Sequence, residues 1–113
     1  MKHRRFLSVP MNLQAMYDAE HGIWNEQERH IWNLTEKTYD ALWKCGVFGL
    51  LNRKFDLIID DFEDEDIFYQ KLLFVKDELF EELGAFDCKC EIETLKSMIN
   101  IAIEHRTLLS IVL

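Results

Sequence analysis

The stretch Asp56-Leu57-Ile58-Ile59-Asp60-Asp61-Phe62-Glu63-Asp64-Glu65-Asp66 limits this chain's fold more than any other. Seven of its eleven residues are carboxylates, and between 60 and 66 only Phe62 is uncharged. Like charges at this density repel one another and oppose compaction. The stretch must therefore lie on a solvated face or opposite a cationic partner. It also divides the chain. Residues 1–55 carry eight bases and six acids, a net of +2. Residues 56–93 carry three bases and fourteen acids, a net of -11. The acidity is regional: it disfavours nucleic acid and anionic lipid and attracts a basic protein surface.

The rest of the chain is apolar enough to fold around this segment. Hydrophobic residues make up 49% of 113 residues, including eight Phe, three Trp and three Tyr. That excludes a disordered acidic tail and suits one domain spanning 1–113. One Pro and four Gly leave few obligatory breaks, which favours long regular elements.

Residues 1–10 form a basic arm (His3, Arg4, Arg5), with a short extended piece at Phe6–Val9 as an option. A short helix is expected over 11–21, ended by Gly22. Asn25-Glu26-Gln27-Glu28 has the form of a capping box. It would open a helix of about 20 residues with Ile31, Leu34, Thr38, Leu42 and Cys45 on one stripe and Gly46 as its C-cap. Residues 47–55 suit a short helix or a buried turn, and 55–59 a strand or a helical turn. A further helix is expected over 65–83, capped by Asp64 or Asp61 and striped by Phe68, Leu72, Val75, Leu79 and Leu83. The last helix is expected over 91–106, with Ile92, Leu95, Ile99 and Ala102 on one face. The apolar end, 107–113, continues that helix or forms a strand paired with Phe6–Val9, and is expected to be buried. The fold class expected is all-α: a compact antiparallel four- or five-helix bundle with a short terminal strand pair as an option.

Chemistry-bearing motifs are sparse. Cys88-Lys89-Cys90 spaces two thiols by one residue, unlike structural zinc sites, and no second pair exists. Three cysteines without recognisable spacing argue against a disulfide scaffold and for a reducing compartment. The acidic run lacks the register of a calcium loop. Asp18/His21 and Glu26/His30 do not match a di-iron pattern. Nucleophile elbows, phosphate loops and metalloprotease signatures are absent. Arg4, Arg5, Arg53 and Lys54 are too few for nucleic-acid binding beside so much negative charge. The expectation is a non-enzyme without metal or cofactor, with no nucleic acid or membrane partner and its oligomeric state open. The apolar segment before Pro10 is too short for export, so the protein is expected in the cytoplasm.

Partner binding is the reading that survives. The candidate contact residues are Asp60, Asp61, Phe62, Glu63, Asp64, Glu65, Asp66 and Tyr69, continued by Glu78 and Glu82 on one helix face with no Lys at 74 or 86 to neutralise them. In size, acidity and helical layout, with Ile59–Asp66 as the acidic surface, the chain resembles the bacterial immunity proteins of the colicin and contact-dependent growth inhibition types. That resemblance implies stoichiometric inhibition of a toxin's C-terminal domain, often a basic nuclease. The alternatives are an acidic adaptor or regulatory subunit for a basic cellular protein, and a homo-oligomeric helical bundle.

Overall fold

A computed structural model describes residues 4–113, so His3 and the first residues of the basic arm lie outside the described residues. The fold is mixed α/β, built on a four-stranded antiparallel sheet with five α-helices among the described residues. This overturns the all-α bundle. The strands are β1 (Phe6–Pro10), β2 (Arg29–Asn33), β3 (Asp64–Phe68) and β4 (Leu108–Val112), and they lie in the order β2-β1-β4-β3. The helices are α1 (Leu13–Glu20), α2 (Glu36–Lys44), α3 (Val47–Phe55), α4 (Tyr69–Leu83) and α5 (Lys89–His105).

The two chain ends form the centre of the sheet. β1 pairs antiparallel with β4 through Phe6↔Val112, Leu7↔Ile111 and Ser8↔Ser110. The optional terminal strand pair is therefore real, and it is the sheet's middle. Alternation along each strand gives two faces. Leu7, Val9, Ile67, Leu109 and Ile111 point to the main core, where they meet Ile92, Leu95, Met98, Ile99 and Ala102 of α5. The stripe expected for the last helix is thus the face that is buried. The apolar C-terminus fills this core, with Leu109 and Leu113 fully buried. Thr107, also fully buried, donates from Oγ1 to the Pro10 carbonyl at 2.7 Å and joins the two ends again.

Two helix expectations fail for the same reason. The Asn25 cap exists, with its Oδ1 accepting from Gln27 N at 3.0 Å, but it closes only one 3-10 turn at Glu26–Glu28. The chain then extends as β2, pairing Leu7↔Trp32 and Val9↔His30. Helix α2 is capped ten residues later than expected, at Thr35, whose Oγ1 accepts from Thr38 N at 3.1 Å. Likewise 64–68 is β3 and not a helix start. α4 begins at Tyr69 with no side-chain cap and no acid in its first turn, and Tyr69 N donates to Thr107 O at 2.9 Å. In both places a five-residue strand could be recognised only through its partner on another part of the chain.

Between α2 and α3 the chain turns at Gly46, with φ 97°. This left-handed value favours glycine, and a Cβ there would lie 3.8 Å from the Phe86 ring. Beside this corner Cys45 and Cys88 form a disulfide, a single cross-link in place of the scaffold that the cysteine spacing argued against. The two cysteines are separated by 43 residues, and spacing alone carried no sign of the pairing. Cys90 is free and exposed.

Candidate partner-binding surface

The acidic stretch runs from the end of α3 into β3. Asp56 ends α3 in the left-handed region, at φ 56°. The following loop is fastened by Asn52, whose Oδ1 accepts from Ile59 N at 2.6 Å and whose Nδ2 donates to Ile59 O at 3.3 Å. Ile59 is buried and Ile58 is exposed, so one isoleucine anchors the loop and the other faces solvent. The residues at 55–59 are thus neither strand nor helix beyond Phe55.

Asp60 Oδ1 accepts from Asp61 N at 2.8 Å, and Glu63 N donates to Asp60 O at 3.2 Å, closing a turn. Phe62 sits in this turn at φ 64° with 76% of its surface exposed. A bulky residue in this backbone region costs on the order of 1–3 kcal/mol and concentrates at binding sites.

Asp61 is held from inside the molecule. Arg5 donates to its Oδ1 from Nη2 at 2.8 Å and from Nε at 3.1 Å, and Tyr39 Oη donates to it at 2.8 Å. The Arg5 guanidinium also stacks on the Tyr39 ring at 3.9 Å. The hydrogen bond to Asp61 raises the Arg5 pKa above its ordinary value, against a smaller lowering by burial. Tyr39 is pushed up mainly by burial and then by its bond to Asp61. This clamp ties the loop to the residue that precedes β1 and to α2, and fixes the turn that carries Phe62.

In β3 the acids divide by strand alternation. Asp64 and Asp66 pair opposite Val112 and Ser110 and point to the outer face of the sheet. Glu65 points the other way, and its Oε1 accepts from Ile58 N at 3.2 Å. None of these acids caps a helix, which corrects the role expected for Asp61 and Asp64. As an edge strand with alternating acids, β3 is guarded against pairing with another copy of itself.

Glu78 and Glu82 do not extend the acidic surface as free charges. Lys54 of α3 donates to Glu78 Oε1 at 2.9 Å and to Glu82 Oε1 at 2.5 Å. The neutralising lysine comes from another helix and not from position 74 or 86. These bonds, to Glu82 first and then Glu78, raise the Lys54 pKa, while the bond from Lys54 lowers the Glu78 pKa. A depressed carboxyl pKa contributes stability above its unfolded value, and that contribution is lost as pH falls through the folded value. Glu78 is exposed, so the contribution is small. We expect its carboxyl carbon, followed by NMR, to titrate below the ordinary glutamate range and to return to it in Lys54→Met. An unchanged midpoint in that variant would remove Lys54 as the cause. Tyr69 is half-buried at the α4 start.

Two further features have no counterpart in the sequence reading. On the far side of Lys54, a 490 Å³ groove is lined by Phe55, Phe74 and Val75 with Lys54 and Lys71, and Phe74 is 90% exposed. Under α1, the outer face of the sheet closes a second cavity of 240 Å³ around Arg29. Arg29 is 9% exposed, its Nη2 and Nε donate to Ser8 Oγ at 3.0 and 3.2 Å, and Trp24 stacks on it at 4.4 Å. Burial lowers its pKa, with the charge of Asp66 opposing. Arg29 Nη1 is buried and has no hydrogen-bond partner among the described residues. A buried donor in that condition costs on the order of 1–3 kcal/mol, and more when charged. Reading residues 25–45 as one helix had concealed this arginine.

Among the described residues, no group of three or more His, Cys, Asp or Glu is placed to hold a metal ion. No helix among them is long and apolar enough to cross a membrane. No family model, curated protein or solved structure matches the chain.

Proposed function

We propose that this chain is a stoichiometric binding protein of the immunity type, which docks a basic toxin nuclease domain on the Asp60–Asp66 segment and holds it inactive. The observation that carries the reading is the Phe62 turn: an exposed aromatic ring in a left-handed backbone, flanked by exposed Asp60, Glu63, Asp64 and Asp66. An aromatic anchor ringed by charge is the composition of an interface hot spot. The Arg5–Tyr39–Asp61 clamp supports it further, because a loop already fixed loses less entropy on binding. Asp61, Glu65, Glu78 and Glu82 make bonds within the chain. The contact set is centred on the exposed residues Asp60, Phe62, Glu63, Asp64 and Asp66, of which Asp60 also accepts from Asp61 N inside its own turn. In this reading the protein works in the cytoplasm, where thiol reductants act on the Cys45–Cys88 disulfide.

The test is titration of a basic nuclease domain encoded beside this gene, with nuclease activity and complex mass as readouts. Activity should fall to zero at one equivalent. Lysine substitution of Asp60, Glu63, Asp64 and Asp66 together should slow association at low salt by about tenfold or more. Asp61 is left in place so that the clamp survives, and circular dichroism should be unchanged. Association that is indifferent to these four charges would remove the segment from the interface. A partner that is bound but is not a nuclease would turn the reading to the acidic adaptor.

A further inference from the structure

The cavity under α1 is distinct from the Phe62 turn, although Asp64 and Asp66 border both. Met16, Ala19 and Glu20 of α1 form one wall, and the loop residue Trp24 another. Arg29, Asp64, Asp66, Ser110 and the apolar side chains of Leu108 and Val112 come from the sheet. Its volume, 240 Å³, is below the range of roughly 300–1,000 Å³ that takes a drug-sized molecule, so the occupant is small.

The charges select the occupant further. Arg29 supplies one cation with a buried donor, Nη1, that lacks an acceptor among the described residues. Glu20, Asp64 and Asp66 supply three exposed carboxylates on the same lining. A simple anion would satisfy Arg29 but meet three negative charges. A simple cation would satisfy the carboxylates but leave Arg29 unpaired and repelled. An apolar molecule would leave both sets unanswered. A ligand with an acceptor group, a cationic group and an apolar body answers all of them.

We propose that this cavity binds a small zwitterion, an α-amino acid with an apolar side chain. Its carboxylate lies on Arg29, its ammonium on Asp64 and Asp66, and its side chain against Trp24, Leu108 and Val112. Trp24, already stacked on the guanidinium, holds Arg29 in place for the carboxylate. The inference stands apart from the partner reading, because the isolated chain is enough to test it.

The experiment is an NMR titration of the full chain with three probes: L-leucine, N-acetyl-L-leucine and L-leucinamide, each to about 10 mM. The Trp24 indole resonance, assigned with Trp24→Phe, is the reporter. L-leucine should shift it saturably, and each capped analogue should bind at least about tenfold more weakly. Asp66→Asn changes an exposed side chain and should weaken L-leucine by about tenfold. Arg29→Met keeps the bulk against Trp24, removes the donors and should abolish binding. Should that variant fail to fold, Asp66→Asn decides alone. The proposal is overturned by any of three results: no saturable shift with L-leucine, an analogue binding as well as L-leucine, or Asp66→Asn binding unchanged.

Discussion

Reduction of the Cys45–Cys88 disulfide is expected to lower folding stability by about 4 kcal/mol. The bond closes a loop of 43 residues between the end of α2 and the start of α5. Chain entropy alone assigns a cross-link of that span about 4 kcal/mol, by limiting the unfolded ensemble. A domain of this size is stable by only about 5–15 kcal/mol in total, so the loss is a large fraction. The measurement is the guanidinium midpoint with and without reductant, in a Cys90→Ser background that prevents thiol exchange. Thiol labelling should find one reactive cysteine, the exposed Cys90, in the native wild type, and three after reduction and unfolding. An unchanged midpoint in fully reduced protein would show that the cross-link contributes nothing. A chain whose stability depends on this bond behaves differently in oxidising and reducing surroundings.

Leu109→Ala is expected to cost about 3 kcal/mol, within the range of roughly 2–5 for a buried leucine. Leu109 is fully buried in β4, next to the centre of the sheet, and pairs with Ile67 of the edge strand. Its neighbours are the core faces of β1 and α5, so the cavity left behind has rigid walls and collapses poorly. Leu73→Ala makes the internal comparison. Leu73 lies on α4 with 56% of its surface exposed, and its loss should change stability by no more than about 0.5 kcal/mol. Denaturant midpoints of the two variants, at equal m-values, give the difference. Equal effects at the two positions would contradict a C-terminal strand inside the core.

The contrast between these leucines shows how far local pattern reaches. Helix α5 was legible because its 3.6-residue stripe, from Ile92 to Ala102, is continuous for about three turns and all of it is buried. The Gly46 break was legible because a glycine and an apolar run meet there, whereas residues 47–55 suited a buried turn as well as the helix α3 that forms. Residues 29–33 and 64–68 were not, because five residues of strand sit beside longer helical stripes that absorb them on paper. Ile31 fits a helix with Leu34 as well as it fits a strand opposite Ser8. Hydrogen bonding to β1 decides the matter, and β1 lies more than twenty residues away in sequence.

The candidate surface divides in the same manner. The sequence by itself determined that residues 56–66 are dense in charge, that the middle third of the chain is strongly acidic, and that enough apolar residues exist to bury a core. These properties are local or additive, so no contact is needed to read them. Which acids face a partner is a tertiary result. Asp61 is taken by Arg5, 56 residues away, and by Tyr39, 22 residues away. Lys54 reaches Glu78 and Glu82 from another helix. Strand alternation then sends Asp64 and Asp66 to one face and Glu65 to the other. The same folding buries Arg29 beneath Trp24 and makes a cavity where the sequence shows only an arginine among polar neighbours. Charge density is a property of the chain, whereas the pairing of each charge depends on distances that only the folded backbone sets.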